Sequence, residues 1–310
     1  GFTEGRWITA AEVMPGARSV VHHCIVFIRP PDGARFRGVG WLSGFVPGQR
    51  TVSLPSGHAR FVPAGSKLVF QMHYTPTGTA EQDLTKIGLI FADAKDVTHE
   101  VITVIGIDQD FEIPPHAAHH QVTFRVSNLP QEGKLLAIIP HMHLRGRSFR
   151  LRRGEGTDGE ILLDVPKYDF NWQHSYQLVE PLSLKDISSL HCSVVFDNSG
   201  DNPTNPDPSQ WVTWGDQTWE EMAVAFFAIS EPRSANGRDS AVRPLRETEK
   251  PTYGQAKVRA FVDEFFQRHD KNRDGVIARH EVPRSIRTFY FYYWDMDGDD
   301  RIRRDELQQR

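Results

Sequence analysis

Fourteen histidines are spread unevenly over this chain of 310 residues, and the spacing of a few of them sets the first chemical question. His141 and His143, in IIPHMHLRG, stand two apart directly after an apolar strand pattern, Leu135 to Ile139. If the strand continues, both imidazoles leave the same face, because strand side chains alternate with a period of two. That is a natural two-point metal chelate, and it needs further ligands to complete a site. His22 and His23, in SVVHHCIVFIRP, are neighbours in strand-like sequence and so point to opposite faces; joint ligation would require a twist or a bulge. The plain reading of that pair puts one ring in the core and one outside. His73 ends the strand pattern KLVFQMHY at a turn, a position from which a side chain can reach a cleft, and no spacing ties it to His22. His116, His119 and His120 read as a surface feature, with an extra metal site as the second reading, and His174 and His191 read as structural.

A second constellation is acidic. Asp270, Asn272 and Asp274 offer oxygens at positions 1, 3 and 5 of a twelve-residue loop, Gly275 supplies the turn, Val276 its backbone carbonyl at position 7, and Glu281 a bidentate carboxylate at position 12. This is the ligand pattern of an EF-hand calcium loop. Asp295, Asp297, Asp299, Arg301 through its carbonyl, and Glu306 repeat it, with Ile302 at position 8, where paired loops exchange a short β-bridge. Asp300 stands at position 6 of the second loop and tolerates a positive φ less well than glycine, so the second site is expected to be the weaker. An acidic solvated surface, the alternative, has no reason to set an isoleucine and a glutamate in register twice. With no Met-rich groove and Met296 lying inside a loop, a structural calcium module is expected rather than a sensor.

The elements that must position these residues are mostly short strands, cut by turn signals such as Pro30-Pro31-Asp32-Gly33, Pro55-Ser56-Gly57 and Pro76-Thr77-Gly78. The length exceeds one ordinary core, and a polar, proline-marked seam at residues 106–115 leaves room for a sandwich on either side. The expected architecture is mainly β: two consecutive antiparallel β-sandwiches over residues 1–108 and 109–230, a linker over 231–252, and a small α-helical EF-hand domain over 253–310. Val258, Phe261, Val262, Phe265 and Phe266 give that tail its helical spacing, and a second aromatic cluster runs from Phe289 to Trp294. A net charge of −4 gives no basic face for nucleic acid. The longest apolar run, Met222 to Ile229, is far too short to span a bilayer. Cys24 and Cys192 read as two buried thiols rather than one bridge, and the start at Gly1 reads as processed or cut, with any targeting signal lost.

Five motifs in order, VHHCIVF (21–27), LVFQMHYTPTG (68–78), IIPHMHLRG (138–146), SLHCSVVFDNSG (189–200) and WGDQTWEEMAVAFF (214–227), resemble the copper type II, ascorbate-dependent monooxygenases. That group contains peptidylglycine α-hydroxylating monooxygenase and dopamine β-monooxygenase. The resemblance covers roughly residues 10–230, leaves the acidic tail outside, and implies jelly-roll topology for both sandwiches. It also implies two copper ions: an electron-supplying one held by His22, His23 and His73, and an oxygen-binding, catalytic one held by His141, His143 and Met222. A thioether is a soft ligand suited to Cu(I), whereas zinc sites use Cys, His and carboxylates; alone, Met222 would read as a core methionine.

The implied activity is hydroxylation of a substrate C–H bond with O2 and two electrons from ascorbate or a similar reductant, the second electron crossing a cleft between rigidly oriented domains. A secreted or periplasmic location goes with it. At the two positions where peptide-amidating members hold a substrate carboxylate, this chain has Ile139 and Phe226, so peptidylglycine is disfavoured and a small organic substrate with an apolar wall is expected. Arg145 and Arg147 read as solvated, with recruitment of an anion as the second reading, and the segment from Asp164 to Gln173 as cleft lining or plain core. Two readings compete with the hydroxylase: a non-catalytic copper-binding or electron-transfer protein, and an extracellular binding module stiffened by calcium.

Overall fold

The computed structural model describes residues 2–31, 36–48, 53–127, 129–154, 158–185, 187–233, 262–283, 286–287, 291–295 and 297–308. Most of the expected linker and the first part of the expected tail, including Val258 and Phe261, lie outside the described residues, as do Phe289 and Met296. In chain order the first strands are β1 (Arg6–Met14), β2 (Val21–Arg29), β3 (Trp41–Phe45), β4 (His58–Val62), β5 (Lys67–Tyr74), β6 (Lys86–Ala92), β7 (His99–Asp108) and β8 (Glu112–Ile113). They are followed by β9 (His120–Ser127), β10 (Lys134–His141), β11 (Gly146–Arg153), β12 (Ile161–Val165), β13 (Tyr176–Ser183), β14 (Ser189–Phe196), β15 (Val212–Thr213) and β16 (Ala223–Pro232). The tail holds helix α1 (262–269), β17 (Ile277–Ala278), α2 (Phe291–Trp294), β18 (Arg301–Ile302) and α3 (Arg304–Gln308). The chain is mainly β, as expected. Among the described residues no helix is long and apolar enough to cross a membrane.

One seven-stranded sheet, β13-β10-β16-β7-β4-β1-β6, runs through both halves of the chain. Its centre explains the long apolar run: β16 hydrogen-bonds to β10 on one side and β7 on the other, and its residues from Ala223 to Ser230 are all buried. A strand covered on both faces has no reason to alternate. β9 shows the opposite case, with Val122, Phe124 and Val126 buried between exposed neighbours, because only one of its faces meets the core. β7 pairs with β16 over its whole length and joins the first half through a short parallel contact, His58 opposite His99 and Ala59 opposite Glu100.

Two smaller sheets complete the cores. β3-β2-β5 shares a cluster with β1 and β4 made by Ile8, Val13, Val26, Ile28, Leu42 and Val62. β12-β11-β14-β9 shares another with β10 and β16, including Phe124, Ile138, Phe149, Leu151, Val194 and Phe227. The face of β7 that meets β9 is so close that a Cβ on Gly106 would lie 2.4 Å from Val126 Cγ2. Cys24 and Cys192 are buried and unbridged, and burial pushes the Cys24 thiol up to about 12. In the tail, Val262, Phe265, Phe266, Ile277, Phe291 and Ile302 form a separate cluster, and β17 pairs with β18 through Ile277 and Ile302.

Candidate metal centre

His22 and His23 reach a common space through a register irregularity in β2. The β2–β5 ladder runs from Arg29 opposite Lys67 down to His23 opposite His73, then shifts before Val21 meets Tyr74. The extra residue is His22, and the bulge turns its ring towards the face of its neighbour. His22 Nδ1 lies 3.1 Å from His23 Nδ1, and the His23 ring stacks on that of His73 with centroids 4.0 Å apart. His22 Nε2 is buried without a hydrogen-bond partner.

His141 and His143 come to the same place from the other half. His141 ends β10 opposite Val224, and Met222 immediately precedes β16, the strand that pairs with β10. His143 and Met222 are both buried. The His141 ring sits edge-on to His23, with centroids 5.9 Å apart, and 5.2 Å from His143. The two histidine sets therefore adjoin, with no open cleft between them. Neither set brings three ring nitrogens within 4.8 Å of one another; among the described residues only Asp295, Asp297 and Asp299 meet that spacing. For three-histidine ligation the stacked rings of His23 and His73 must part.

The outer partners bear on the ring tautomers. Gln173 Oε1 is 2.6 Å from His141 Nδ1, and the Glu220 carbonyl is 3.1 Å from His143 Nδ1. An acceptor at Nδ1 favours the proton there and would leave Nε2 as a lone pair, the arrangement that ligating histidines use. His143 Nε2 is buried and takes no partner. Burial lowers the pKa of all five imidazoles, that of His141 to about 4, so each ring is neutral at pH 7. A buried lone pair on a neutral ring is what a soft metal ion requires, and the donor set of imidazoles with a thioether fits copper.

Sequence reasoning missed the clamp beneath His143. Glu221, fully buried, accepts the backbone N–H of His143 at 2.8 Å and that of Arg145 at 2.6 Å. Burial pushes its carboxyl up to about 8 against the pull of those donors and of Arg145. Arg145 is not solvated as expected: it is 1% exposed, and its guanidinium donates to Asn198 Oδ1 at 2.8 Å and to the Trp219 carbonyl at 2.8 Å. Strand position suggested exposure, but a turn folds it under the loop, where carbonyl oxygens replace water. Arg147 is exposed as expected, 3.7 Å from Asp197.

The segment from Asp164 to Gln173 covers the centre. Phe170 stacks on His22 at 4.3 Å and stands 5.9 Å from His143, while Tyr168 donates its hydroxyl to the Met142 carbonyl at 2.8 Å. These contacts join residues far apart in sequence, and no local spacing announces them. Ile139 and Phe226, opposite one another on β10 and β16, wall a 30 Å³ slot with His23, His141, Gln173 and Trp41. Among the other histidines, His116 and His119 are exposed and His120 begins β9.

The acidic loops share one backbone. Asp270 accepts the N–H groups of Asp274 at 3.2 Å and Gly275 at 3.0 Å, and Asp295 accepts those of Asp299 and Asp300, each at 3.1 Å. Gly275 has φ 82° and Asp300 φ 60°, so the aspartate does adopt the left-handed turn expected to weaken the second loop. Glu281 and Glu306 close the loops on the N–H groups of Ala278 at 2.8 Å and Arg303 at 2.6 Å. Asn272, Val276, Asp297 and Asp299 occupy the intervening bends and Arg301 begins β18, with the Arg303 guanidinium on Asp297 and Asp299.

No protein-family model and no curated protein matches the chain. Among solved structures, the major capsid protein P2 of bacteriophage PM2 is 11% identical, over 76% of this chain and 91% of that one, with a TM-score of 0.31. An infectious bursal disease virus structure, Gx strain, is 13% identical over 77% of this chain and 60% of its own, at 0.27. A putative secreted protein from Eubacterium rectale is 9% identical over 73% and 66%, at 0.24.

Proposed function

We propose that this chain is a copper-dependent monooxygenase that hydroxylates a C–H bond of a small organic substrate with O2 and two electrons from ascorbate or a similar reductant. On this reading it consists of two jelly-roll sandwiches sharing a central sheet, followed by a calcium-binding EF-hand pair, and it works outside the cytoplasm. His22, His23 and His73 would hold one copper, and His141, His143 and Met222 the other. Bound copper would supply the redox chemistry and the activation of O2. The observation that supports the reading is the pair of oxygens on Nδ1 of His141 and His143, from Gln173 and the Glu220 carbonyl, with Nε2 of His143 buried and unpartnered.

The chain's own residues do the rest. Gln173 and the Glu220 carbonyl orient the two rings, and Glu221 holds the backbone of His143 in place. Ile139, Phe226 and Trp41 exclude water from the side of His141 where a C–H bond would lie, with Trp41 and Phe226 rings 4.6 Å apart. With His23 and His141 in ring contact, an electron would pass between the sets over a few ångströms rather than across a solvent gap.

Loading with Cu(I) under anaerobic conditions, followed by ascorbate-driven oxygen uptake, tests the reading. Two coppers per chain and ascorbate-dependent uptake are expected. Met222→Ile, close in volume, should retain the fold, lose Cu(I) affinity at one site and abolish turnover. Copper bound without oxygen uptake would make the protein an electron carrier, and no copper bound would overturn both.

A further inference from the structure

A cavity of 440 Å³ lies between β1, β3 and β4 on one side and β10, β13 and β16 on the other, a size typical of small-molecule sites. Trp41, Gly44, Phe45 and Ile139 wall both this cavity and the slot that contains His141. The sheet explains the layout. Thr103, Ala228 and Ala137 lie in one cross-strand row on β7, β16 and β10, and Ile139 and His141 follow Ala137 at two-residue steps on the same face. The two small alanines form a floor that leads from Thr103 to His141.

Above Thr103 stands the one feature that an apolar floor does not need. Arg60 on β4 lines the cavity and donates to Thr103 Oγ1 at 3.0 Å and to the Val101 carbonyl at 3.5 Å, both through one nitrogen. Among the described residues it forms no ion pair. Glu12, which also lines the cavity, is exposed. Desolvation lowers the guanidinium to about 10, and it is charged at pH 7. A half-buried guanidinium that lines a cavity without an ion pair is a ready seat for an anionic group.

We propose that this cavity binds a small organic carboxylate, its anionic group on Arg60 and its apolar body extended over Ala228, Ala137 and Ile139 towards His141. Taken as the substrate site, this rests on the hydroxylase reading; as a binding site it does not. Two strand spacings of about 5 Å and four residues of about 3.4 Å put the Cα of Thr103 about 17 Å from that of His141. After the arginine head and the imidazole take their share, a body of about 8–10 Å remains. A phenyl ring on a chain of four or five carbons has that length, and its ring would lie against Trp41 and Phe45.

The test measures binding to the full-length, metal-free protein by calorimetry, comparing 5-phenylpentanoate with 5-phenylpentanamide, which keeps the shape and loses the charge. The acid should bind at least tenfold more tightly than the amide. Arg60→Gln should remove that difference while leaving the amide unchanged, and Arg60→Lys should keep part of it. Equal binding of acid and amide, or binding of neither, overturns the proposal, and these wild-type measurements stand even if Arg60→Gln does not fold. Copper-loaded protein then separates the two ideas: an acid that binds through Arg60 but does not raise ascorbate-driven oxygen uptake or yield hydroxylated product leaves the cavity assigned and overturns the hydroxylase.

Discussion

Gln173 Oε1, 2.6 Å from His141 Nδ1, favours the proton on that nitrogen. Gln173→Leu removes the acceptor and frees the ring to rotate and exchange tautomers. Outer-partner losses of this kind typically lower metal affinity 10–100-fold. Competition with a chromophoric Cu(I) chelator should show that loss at one of two sites, with an unchanged far-UV spectrum.

The metal-free protein should also report its buried groups through pH. His141 falls from 6.5 to about 4 on folding, so between those values the unfolded chain holds a proton that the folded chain refuses. Stability therefore rises with pH across that window and is lost as pH falls towards 4, by about 3 kcal/mol for a shift of this size. The other four imidazoles shift the same way. Glu221 moves oppositely, from 4.5 to about 8, so its contribution is present below 4.5 and is lost as pH climbs through 8. Thermal melts should peak near pH 6.5, and in Glu221→Gln the decline from 6.5 to 8 should disappear. A decline that persists in the variant would place its origin elsewhere.

At the scale of elements, β7 and β9 approach so closely that a side chain at Gly106 would displace that of Val126. Gly106→Ala should cost about 1–3 kcal/mol, because Val126 must leave its place against the backbone. The measurement is the denaturant midpoint at unchanged slope. The same packing explains the reach of the bulge in β2: with Val26 and Ile28 locked in the core, the strand cannot slip to relieve the extra residue, and His22 stays turned towards His23.

Across the whole molecule, the tail meets the body at a few points. The Arg29 guanidinium donates to the backbone carbonyl of Asp295, and a 700 Å³ gap separates Trp214 and Glu220 from Arg268, His269 and Pro283. Arg29 ends the strand that begins beside His22, about 20 Å from His23 at six residues of extended chain. Calcium should therefore stiffen residues 262–308 without changing the histidine centre. Adding calcium to chelator-stripped protein should raise protease resistance there, Glu281→Gln should lower that protection, and oxygen uptake by copper-loaded protein should stay within about twofold. Uptake abolished with copper still bound would show that the tail governs the centre.

Local pattern was enough for the strands, the paired acidic loops and the His141-x-His143 pair, because period-two alternation, fixed loop positions and an i, i+2 spacing are properties of neighbouring residues. It also announced β16 as an apolar run, but not that the run is the middle of a sheet joining both halves. The meeting of His23 with His141, the oxygens that Gln173 and Glu220 set on Nδ1, the burial of Arg145 and the placement of the Arg60 guanidinium depend on strand order and register, which place residues 30 to 120 positions apart in contact. Sequence supplied the chemical groups. Tertiary structure decided which nitrogens, amides and charges meet, because each of those meetings depends on desolvation and on contacts that no single segment contains.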